Sequence, residues 1–353
     1  MKATYINSAV CISAQDTLEP DFFEKLEAIA PASVTHAKQP SYKEYIAPAL
    51  IRRMSKVVKM GSVAAQKALQ QASVAMPEAI IVGTGLGCTE DSEKFLRNLI
   101  QNHEEFLTPT HFIQSTHNTV AGQIALSLGC HAYNFTYVNA ASSLEFSMLD
   151  AKLQIEMDGK KNILVGSADE TAERTAELYQ LAHIIKNPKD IPFDILNSES
   201  KGVAWGEGAS FFVLSGEKNA ESYAELKDIF LQNRIEKSEI QDKAKDFLVK
   251  NNLGTNDIDA VMLGFGGDAE SDLYYKELQQ LFPETQQLYF KHLSGDFNTA
   301  SGFAFFTAAH ILKKQELPEV MKINVIKTEK IGNILIYNNF LGNDHCFTLL
   351  KKV

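Results

Sequence analysis

The sequence predicts an α/β fold made of two similar halves. Short apolar runs alternate with longer helical patterns along its 353 residues. The runs at residues 79–83, 162–166 and 210–214 are nearly continuous, as expected of buried strands. Each half also ends in two late apolar strands, which suggests a duplicated βαβ unit. Strands separated by helices favour largely parallel pairing.

The periodicity places the elements in order. The chain is expected to begin with a strand at residues 1–6. In the first half, helices are predicted at 48–71, 120–128 and 146–155, and an extended segment at 134–138. In the second half, strands are predicted at 223–231, 260–264, 334–337 and 346–350, and helices at 237–250, 272–281 and 299–314. The polar segment at 215–222 is the expected join, so the halves are placed at 1–215 and 222–353 and are expected to share one core.

Composition describes an ordinary globular chain and argues against several functions. Hydrophobic residues make up 45% of the chain and charged residues 22%. The formal net charge of -10 argues against broad nucleic-acid binding. The four cysteines are scattered, without a CxxC pair or a nearby histidine cluster, so neither a metal site nor a disulfide scaffold is expected. Without a signal peptide or a run of ~18 apolar residues, a cytoplasmic protein with no membrane span is predicted.

The most informative segment is residues 138–145, where an extended run turns into a helix. Many enzymes present a nucleophilic serine or cysteine at such a turn, because the helix N-terminus stabilises an anion there. The small residues of such a turn are present, but Ala141 stands where sulfur is expected. Ser142 and Ser143 are predicted to cap and pack the helix start rather than to act as nucleophiles.

Other polar and glycine-rich patterns have structural explanations beside functional ones. Gly83, Gly85 and Gly87 lack the GxGxxG spacing of a dinucleotide loop, so a tight turn is predicted. Asp169 and Glu170 could be an acid/base pair, but capping of a helix start explains them more simply. Four further side chains could be reactive groups but are interpreted mainly as packing residues: Cys88, Cys130, His117 and His292.

Several segments, taken in order, resemble the β-ketoacyl synthase family of condensing enzymes. They are residues 6–13, Arg52-Arg53-Met54-Ser55 with 64–68, Gly83-Thr84-Gly85-Leu86-Gly87, His117-Asn118 with 121–125, Gly166-Ser167-Ala168-Asp169-Glu170, and Gly206-Glu207-Gly208-Ala209. Each segment is weakly specific, but together they span nearly the whole chain in the family's order. The resemblance implies a thiolase-like fold, in which two similar βαβ-type halves form a layered α-β-α-β-α core.

The resemblance also implies a catalytic cysteine and two histidines, and this chain departs from all three. Ala141 stands at the cysteine position. The turn that begins at Gly264, where the first histidine is expected, contains no histidine. In the segment from Lys291 to Asp296, the aspartate occupies the position of the second histidine, and an ionised carboxylate would repel an oxyanion. The glycine-rich loop near the C-terminus is altered as well, at residues 338–345.

A catalytically silent subunit of the chain-length-factor type is therefore predicted, a pseudoenzyme that forms a heterodimer with an active ketosynthase. Its role would be to shape the acyl tunnel in fatty-acid-like or polyketide-like synthesis, including that of aryl-polyene pigments. An acyl carrier protein is the other expected partner, and no cofactor is implied. Whether the chain is an enzyme stays open. One alternative is an active synthase or acyltransferase that uses Ser142, His292 or His117. The other is a binding protein without acyl chemistry.

The resemblance suggests two groups of site residues. Side chains expected to line the substrate tunnel or pocket are Asn118, Phe135, Leu144, Phe146 and Phe340. A basic segment at helical spacing could dock an acidic carrier protein or form a solvated helix face; its members are Arg52, Arg53, Lys56 and Lys59.

Overall fold

The computed structural model describes residues 2–105, 107, 109–327 and 330–353. Its strands are β1 Tyr5–Ile12, β2 Ala79–Gly83, β3 Tyr133–Tyr137, β4 Asn162–Asp169, β5 Gly208–Ser215, β6 Ala224–Gln232, β7 Ala260–Leu263, β8 Gln286–Tyr289, β9 Asn333–Phe340 and β10 Asn343–Lys351. Its helices are α1 Pro48–Ile51, α2 Lys56–Gln71, α3 Thr89–Gln101, α4 Pro109–Gln114, α5 Thr119–Leu128, α6 Ser143–Met157, α7 Glu173–Leu181, α8 Ile240–Lys250, α9 Asp272–Gln279, α10 Lys291–Ser294 and α11 Ser301–Lys314.

The strands form one ten-stranded sheet in the order β3-β2-β4-β5-β1-β6-β10-β9-β7-β8. The five strands of the second half repeat the order of the first five in reverse, so the halves share a topology. They meet where β1 pairs with β6, at Tyr5–Glu225 and Ile6–Ala224. The boundary between the halves, placed at residues 215–222, stays a prediction; β5 ends and β6 begins on either side of it.

The expectation of largely parallel pairing is wrong. β2 pairs in parallel with β3 and β4, and β7 with β8 and β9. The remaining neighbours are antiparallel. Parallel neighbours need a crossover connection, whereas β9 and β10 are joined by a tight hairpin, which can only form an antiparallel pair. Apolar runs reveal buried strands but not their direction, so the alternation of elements overstated the parallel content.

Three apolar clusters lie between the helices and the two halves of the sheet, and the predicted thiolase-like architecture is confirmed. α2 and α5 cover the outer face of the first half of the sheet. α6 and α11 lie on its inner face and are shared with strands of the second half. α8 and α9 cover the outer face of the second half. The first twelve residues of α11 are all buried, as expected of a helix with protein on every side.

Several elements differ from the expected set, which lacked the helices α3, α4 and α7. The helix predicted over 48–71 is interrupted between α1 and α2, where Arg52 and Arg53 are exposed. The short strand β8 was missing from the expected set, because four residues are too few to show a period. No helix within the described ranges is long and apolar enough to cross a membrane.

Candidate functional site

The turn between β3 and α6 places Ala140 and Ala141 in opposite environments. Ala140 has a left-handed backbone with φ of 46° and is exposed. Ala141 is only 1% exposed and belongs to the short 3-10 turn that leads into α6. Strained backbone at a sharp strand-to-helix turn is typical of positions that present a nucleophile. The exposed, strained residue is thus one position before the residue that the sequence indicated, and both are alanines without a thiol.

The two serines after this turn hold it together. Ser143 Oγ accepts a hydrogen bond from the Asn139 amide at 2.8 Å and lies within hydrogen-bond distance of the carbonyls of Thr84 and Ala140. Ser142 Oγ lies 3.7 Å from Cys346 Sγ in a buried contact. Neither hydroxyl is paired with an imidazole among the described residues, so neither has the base that a serine nucleophile needs.

A carboxylate from the β9–β10 hairpin faces the start of α6. Asp344 Oδ2 accepts a hydrogen bond from the Ala141 amide at 3.4 Å, and its Oδ1 accepts one from Asn233 Nδ2 at 2.6 Å. The amide at such a helix start is the kind of group that stabilises a developing oxyanion in acyl transfer. Here the protein's own negative charge lies against it, which opposes that use. The altered loop is visible in the sequence, but Asp344 does not stand out within it, because nothing local links it to residue 141.

Glu145 lies in the first turn of α6, directly after the 3-10 turn that contains Ala141. Its side chain is fully buried, and burial raises the pKa of Glu145 to about 7, while the Ser301 hydroxyl lowers it. The charge of Asp344 raises the pKa further, and the Lys291 ammonium lowers it. These influences bring the turn at Ala141 and the segment of Lys291 into one electrostatic environment. No sequence pattern singles out Glu145, because its burial depends on the packing of α6.

The other two positions that depart from the family pattern, Gly264 and Asp296, lie close to each other in the structure. Asp296 Oδ1 lies 2.9 Å from Lys291 Nζ in a buried ion pair, at an angle that leaves this oxygen without a well-aligned hydrogen bond. A Cβ atom added at Gly266 would lie 2.8 Å from Asp296 Oδ2, so the turn that begins at Gly264 packs directly on this carboxylate. A Cβ at Gly264 itself would lie 2.3 Å from Asn338 Oδ1, so this position has no room for an imidazole.

The carboxylates of the family-like turns bind backbone and hydroxyl groups. Asp169 accepts hydrogen bonds from Thr84 Oγ1, the amides of Gly85 and Leu86, and Thr299 Oγ1. This ties the glycine-rich turn to the segment before α11. Glu170 accepts from two amides, at 2.8 Å and 2.9 Å. Both carboxylates are therefore occupied in holding loops, and they do not face each other as an acid and a base.

The four thiols and the His292 ring lie in packed surroundings, whereas His117, which was expected to be a packing residue, is exposed. Burial raises the pKa of Cys11 and Cys88 to about 12, and that of Cys346 well above its usual value, so these thiols stay protonated at neutral pH. His292 stacks on Tyr289, its Nε2 lies 2.8 Å from a backbone carbonyl, and burial lowers its pKa to about 4. The described residues contain no cluster of side chains that could hold a metal ion.

The suggested tunnel residues do not form one wall. Phe135 and Phe146 both contact Tyr137 in a row of aromatic rings on the surface side of α6. Leu144 is fully buried in the central apolar cluster. Phe340 packs edge-on against Trp205 with ring centroids 6.0 Å apart. The fifth suggested residue, Asn118, is exposed at the start of α5.

The basic segment divides in two. Arg52 and Arg53 point into solvent between α1 and α2. Lys56 lies 2.6 Å from the buried carboxylate of Glu207 and 3.3 Å from that of Glu90, so its charge is compensated within the fold. Lys59 is half-buried and lies over the ring of Tyr42. The two arginines are the fully exposed charges of this segment.

An exposed apolar surface surrounds β3, which is the first strand of the sheet and has an unpaired edge within the described chain. Phe135 and Val138 are 44% and 45% exposed. Other large exposed apolar side chains lie on the helices that flank this strand: Leu126, Leu153 and Met157. Unpaired strand edges and large apolar patches usually mark sites where another chain binds.

Comparison with known proteins places these features in a family. Residues 14–220 match the family described as "Beta-ketoacyl synthase, N-terminal domain". No curated protein sequence matches the chain. Among solved structures, the ishigamide ketosynthase/chain length factor is 14% identical, with a TM-score of 0.81 over 100% of this chain and 99% of the other.

Two further structures have the same fold. A ketosynthase, ApeO, in complex with its chain length factor, ApeC, from Xenorhabdus doucetiae is 15% identical, with a TM-score of 0.78 over 100% of this chain and 98% of the other. The complex AntDE:AntF, described as a type II acyl-carrier protein with its ketosynthase, is 15% identical, with a TM-score of 0.77 over 100% and 99% of the two chains.

Proposed function

The chain belongs to the β-ketoacyl synthase family, and from this premise we propose that it is a catalytically silent subunit of the chain-length-factor type. It would pair with an active ketosynthase and shape the space for the growing acyl chain. The observation that carries the proposal is the turn at Ala140 and Ala141. It keeps the strained geometry of a nucleophile position, yet it has no thiol, and the Asp344 carboxylate lies against its amide.

The second and third altered positions support the same conclusion. Where the resemblance implies two imidazoles, the protein has a turn closed against Asn338 and a buried Lys291–Asp296 ion pair. A neutral imidazole can donate a hydrogen bond to an oxyanion, whereas an ionised aspartate cannot. Residues that would decarboxylate or stabilise an acyl intermediate are therefore replaced at each position.

The apolar surface around β3 supports a partner subunit. An active ketosynthase could extend the sheet beyond β3 and cover Phe135 and Val138, which would remove both the unpaired edge and the exposed apolar area. One solved relative is described as a ketosynthase in complex with its chain length factor. Phe135, Tyr137 and Phe146 would then border the partner and contribute to its acyl tunnel.

An acyl carrier protein is the second proposed partner. Arg52 and Arg53 are exposed and could attract an acidic carrier, although the chain as a whole carries a net charge of -10. One similar structure is described as a carrier protein bound to its ketosynthase. The pathway that fits such a pair is fatty-acid-like or polyketide-like chain building, including aryl-polyene pigments.

Intact mass spectrometry tests the proposal. The purified chain is incubated with an acylated carrier protein, alone and together with a cysteine-containing ketosynthase encoded in the same gene neighbourhood. We expect a stable complex in which only the ketosynthase gains an acyl adduct, and Ser142→Ala should leave pathway output unchanged. An acyl adduct on this chain would show an active enzyme with a different nucleophile. No complex and no adduct would leave a binding protein without acyl chemistry.

A further inference from the structure

A long surface segment lies between α7 and β5. Residues 187–201, which we call the strap, contain a short 3-10 turn at Pro188–Asp190 and are otherwise irregular. Every residue of the strap is exposed or half-buried. The residues that flank it are buried, namely Ile185, Lys186, Gly202 and Val203. Long irregular connections inside a compact domain are often functional, so the contacts that hold this one are informative.

The two ends of the strap are hydrogen-bonded to each other. The Lys186 amide donates to the Val203 carbonyl at 2.9 Å, and the Val203 amide donates to the Ile184 carbonyl at 2.9 Å. A loop whose ends are joined in this way is an Ω-loop. Because its ends are fixed together, such a loop can change position without moving the elements that it connects. The joined ends can therefore serve as a hinge.

The Lys186 side chain holds the strap in place. Its Nζ donates to Ser198 Oγ at 2.7 Å, to the Ser200 carbonyl at 2.8 Å and to Ser200 Oγ at 2.7 Å. It also lies 4.9 Å from the centre of the Phe193 ring. Lys186 is fully buried, and the acceptors of its ammonium group among the described residues are neutral. Neutral acceptors offset the desolvation of an ammonium group less completely than a carboxylate does, so the closed strap is held only weakly.

The strap lies on the turn that follows β7. Gly267 in this turn has a left-handed backbone with φ of 86°. A Cβ atom added there would lie 2.7 Å from Phe193 Cε2 and 3.5 Å from Ile195 Cγ1. The Ala269 amide of the same turn donates to the Ser200 carbonyl at 3.1 Å. A movement of the strap would therefore free this turn as well.

The strap also borders two clefts. A cleft of about 600 Å³ is lined by Lys201, at the end of the strap, together with Asp268 and Tyr274. A second cleft of about 230 Å³ is lined by Phe193 and Ile195, in the middle of the strap, together with Ala204 and Lys291. Lys291 is the buried partner of Asp296, so the second cleft reaches this ion pair.

We propose that the strap is a lid that opens about its joined ends when the hydrogen bonds of the Lys186 ammonium group break, and that the open form joins the two clefts into one groove beside the Lys291–Asp296 ion pair. In the open form, Phe193 and Ile195 leave Gly267, and the Ser200 carbonyl releases the Ala269 amide. The two hydrogen bonds between the ends of the strap persist. This proposal does not rest on the chain-length-factor role.

Hydrogen exchange of the full chain at single-residue resolution tests the lid. Lys186→Met removes the ammonium group but keeps an unbranched apolar side chain. We expect the strap amides to exchange at least ~10-fold faster than in the wild-type protein, because charge-assisted hydrogen bonds are lost. The Ala269 amide should share this increase, while the Val203 amide should stay protected. Lys189→Met changes an exposed lysine of the same strap and should leave all of these rates unchanged.

A thiol reporter tests whether opening widens the second cleft. Ala204 is half-buried in the wall of this cleft. The Ala204→Cys thiol should react with a bulky maleimide at least ~5-fold faster when Lys186→Met is also present, because an open lid uncovers it. An unchanged rate would show that the strap does not control access to the cleft.

Other outcomes would also overturn the proposal. Unchanged exchange in the strap, or faster exchange there without a change at Ala269, would show that Lys186 does not hold a lid. Equal loss of protection at Val203 would show that the ends are not a hinge. If Lys186→Met does not fold, Ser198→Ala/Ser200→Ala decides the question. It removes both hydroxyl acceptors and should give the same pattern, and wild-type exchange rates in this variant would refute the lid.

Discussion

Ala140 and Ala141 are neighbours in the chain, yet the fold separates their side chains. Ala140 is exposed with φ of 46°, and Ala141 is buried at the base of α6. A side chain added at residue 140 would therefore meet solvent or a partner, whereas one added at residue 141 would meet packed atoms. Asp344 supplies a negative charge to this turn, which disfavours an anion at either position.

A pair of cysteine substitutions tests this difference. We expect the Ala140→Cys thiol to react with iodoacetamide at least ~10-fold faster than the Ala141→Cys thiol, because only the first is accessible. Adding Asp344→Asn to Ala140→Cys should increase the rate further, since removal of a nearby negative charge lowers a thiol pKa. Peptide mass spectrometry measures each rate, with the wild-type chain as the background. Faster reaction at residue 141 would show that the turn is oriented differently.

Glu145 predicts a dependence of stability on pH. Burial raises its pKa to about 7 from the usual 4.5, so folding favours the protonated form. The stabilising contribution of that proton is fully present below pH 4.5 and is lost as the pH rises through 7. Relative to Glu145→Gln, the wild-type chain should lose about 3 kcal/mol of unfolding free energy across this window.

Denaturant unfolding at pH 4.5, 6 and 8 measures this loss. The exposed residue Glu284 offers a matched control, and Glu284→Gln should follow the wild-type curve. Other buried carboxyls with raised pKa values, Glu170 and Asp272, are present in all three proteins and cancel in the comparison. Parallel curves for wild type and Glu145→Gln would contradict the assignment.

At the scale of elements, β3 is an edge strand that the rest of the chain covers poorly. It pairs only with β2 among the described strands, and its residues are exposed or half-buried. α6 covers one face of the strand, and Phe135, Tyr137 and Phe146 form the aromatic row between them. Such an edge is a ready site for pairing with another chain.

A charge placed on this edge should disrupt the proposed complex. We expect Phe135→Lys to reduce the affinity for the ketosynthase at least ~10-fold, because a desolvated charge would replace a buried ring. Val249 on α8 is 69% exposed and lies over the other half of the sheet, so Val249→Lys is the matched control. Co-purification and analytical ultracentrifugation measure the loss. Equal effects of the two substitutions would exclude β3 as the interface.

For the whole molecule, the negative net charge means that an acidic partner would need a local group of basic residues to bind. The net charge of -10 repels an acidic carrier protein at long range, and the exposed pair Arg52 and Arg53 interrupts this acidic surface. Lys56 was expected to belong to the same surface, but Glu207 and Glu90 neutralise it. Docking would then depend mainly on the two exposed arginines.

Charge reversal separates this local effect from the global one. Arg52→Glu/Arg53→Glu should weaken carrier binding by roughly tenfold at low salt and by less at high salt, where the attraction is screened. Lys218→Glu/Lys351→Glu changes the net charge equally at exposed positions elsewhere and should have a much smaller effect. Surface plasmon resonance at two salt concentrations measures both pairs. Equal weakening would mean that only the net charge matters.

Local sequence determined the fold class and the residue identities at the altered positions. Strand and helix periods depend on neighbouring residues, so the α/β class could be predicted from them. The resemblance of the ordered turns to the β-ketoacyl synthase family implied the thiolase-like architecture, which was confirmed. The absence of cysteine at residues 140 and 141 and the presence of aspartate at residue 296 are matters of identity, which folding does not change.

Contacts between residues that are distant in the sequence could be seen only in the tertiary structure. Ala141 and Asp344 are 203 positions apart, and nothing in either segment predicts their contact. The mixed strand pairing and the neutralised Lys56 likewise depend on which elements pack together. The exposed residue with the strained backbone is Ala140, one position before the alanine that the sequence pattern indicated. Backbone dihedral angles determine which of the two alanines is exposed, and a local pattern of small residues does not encode these angles.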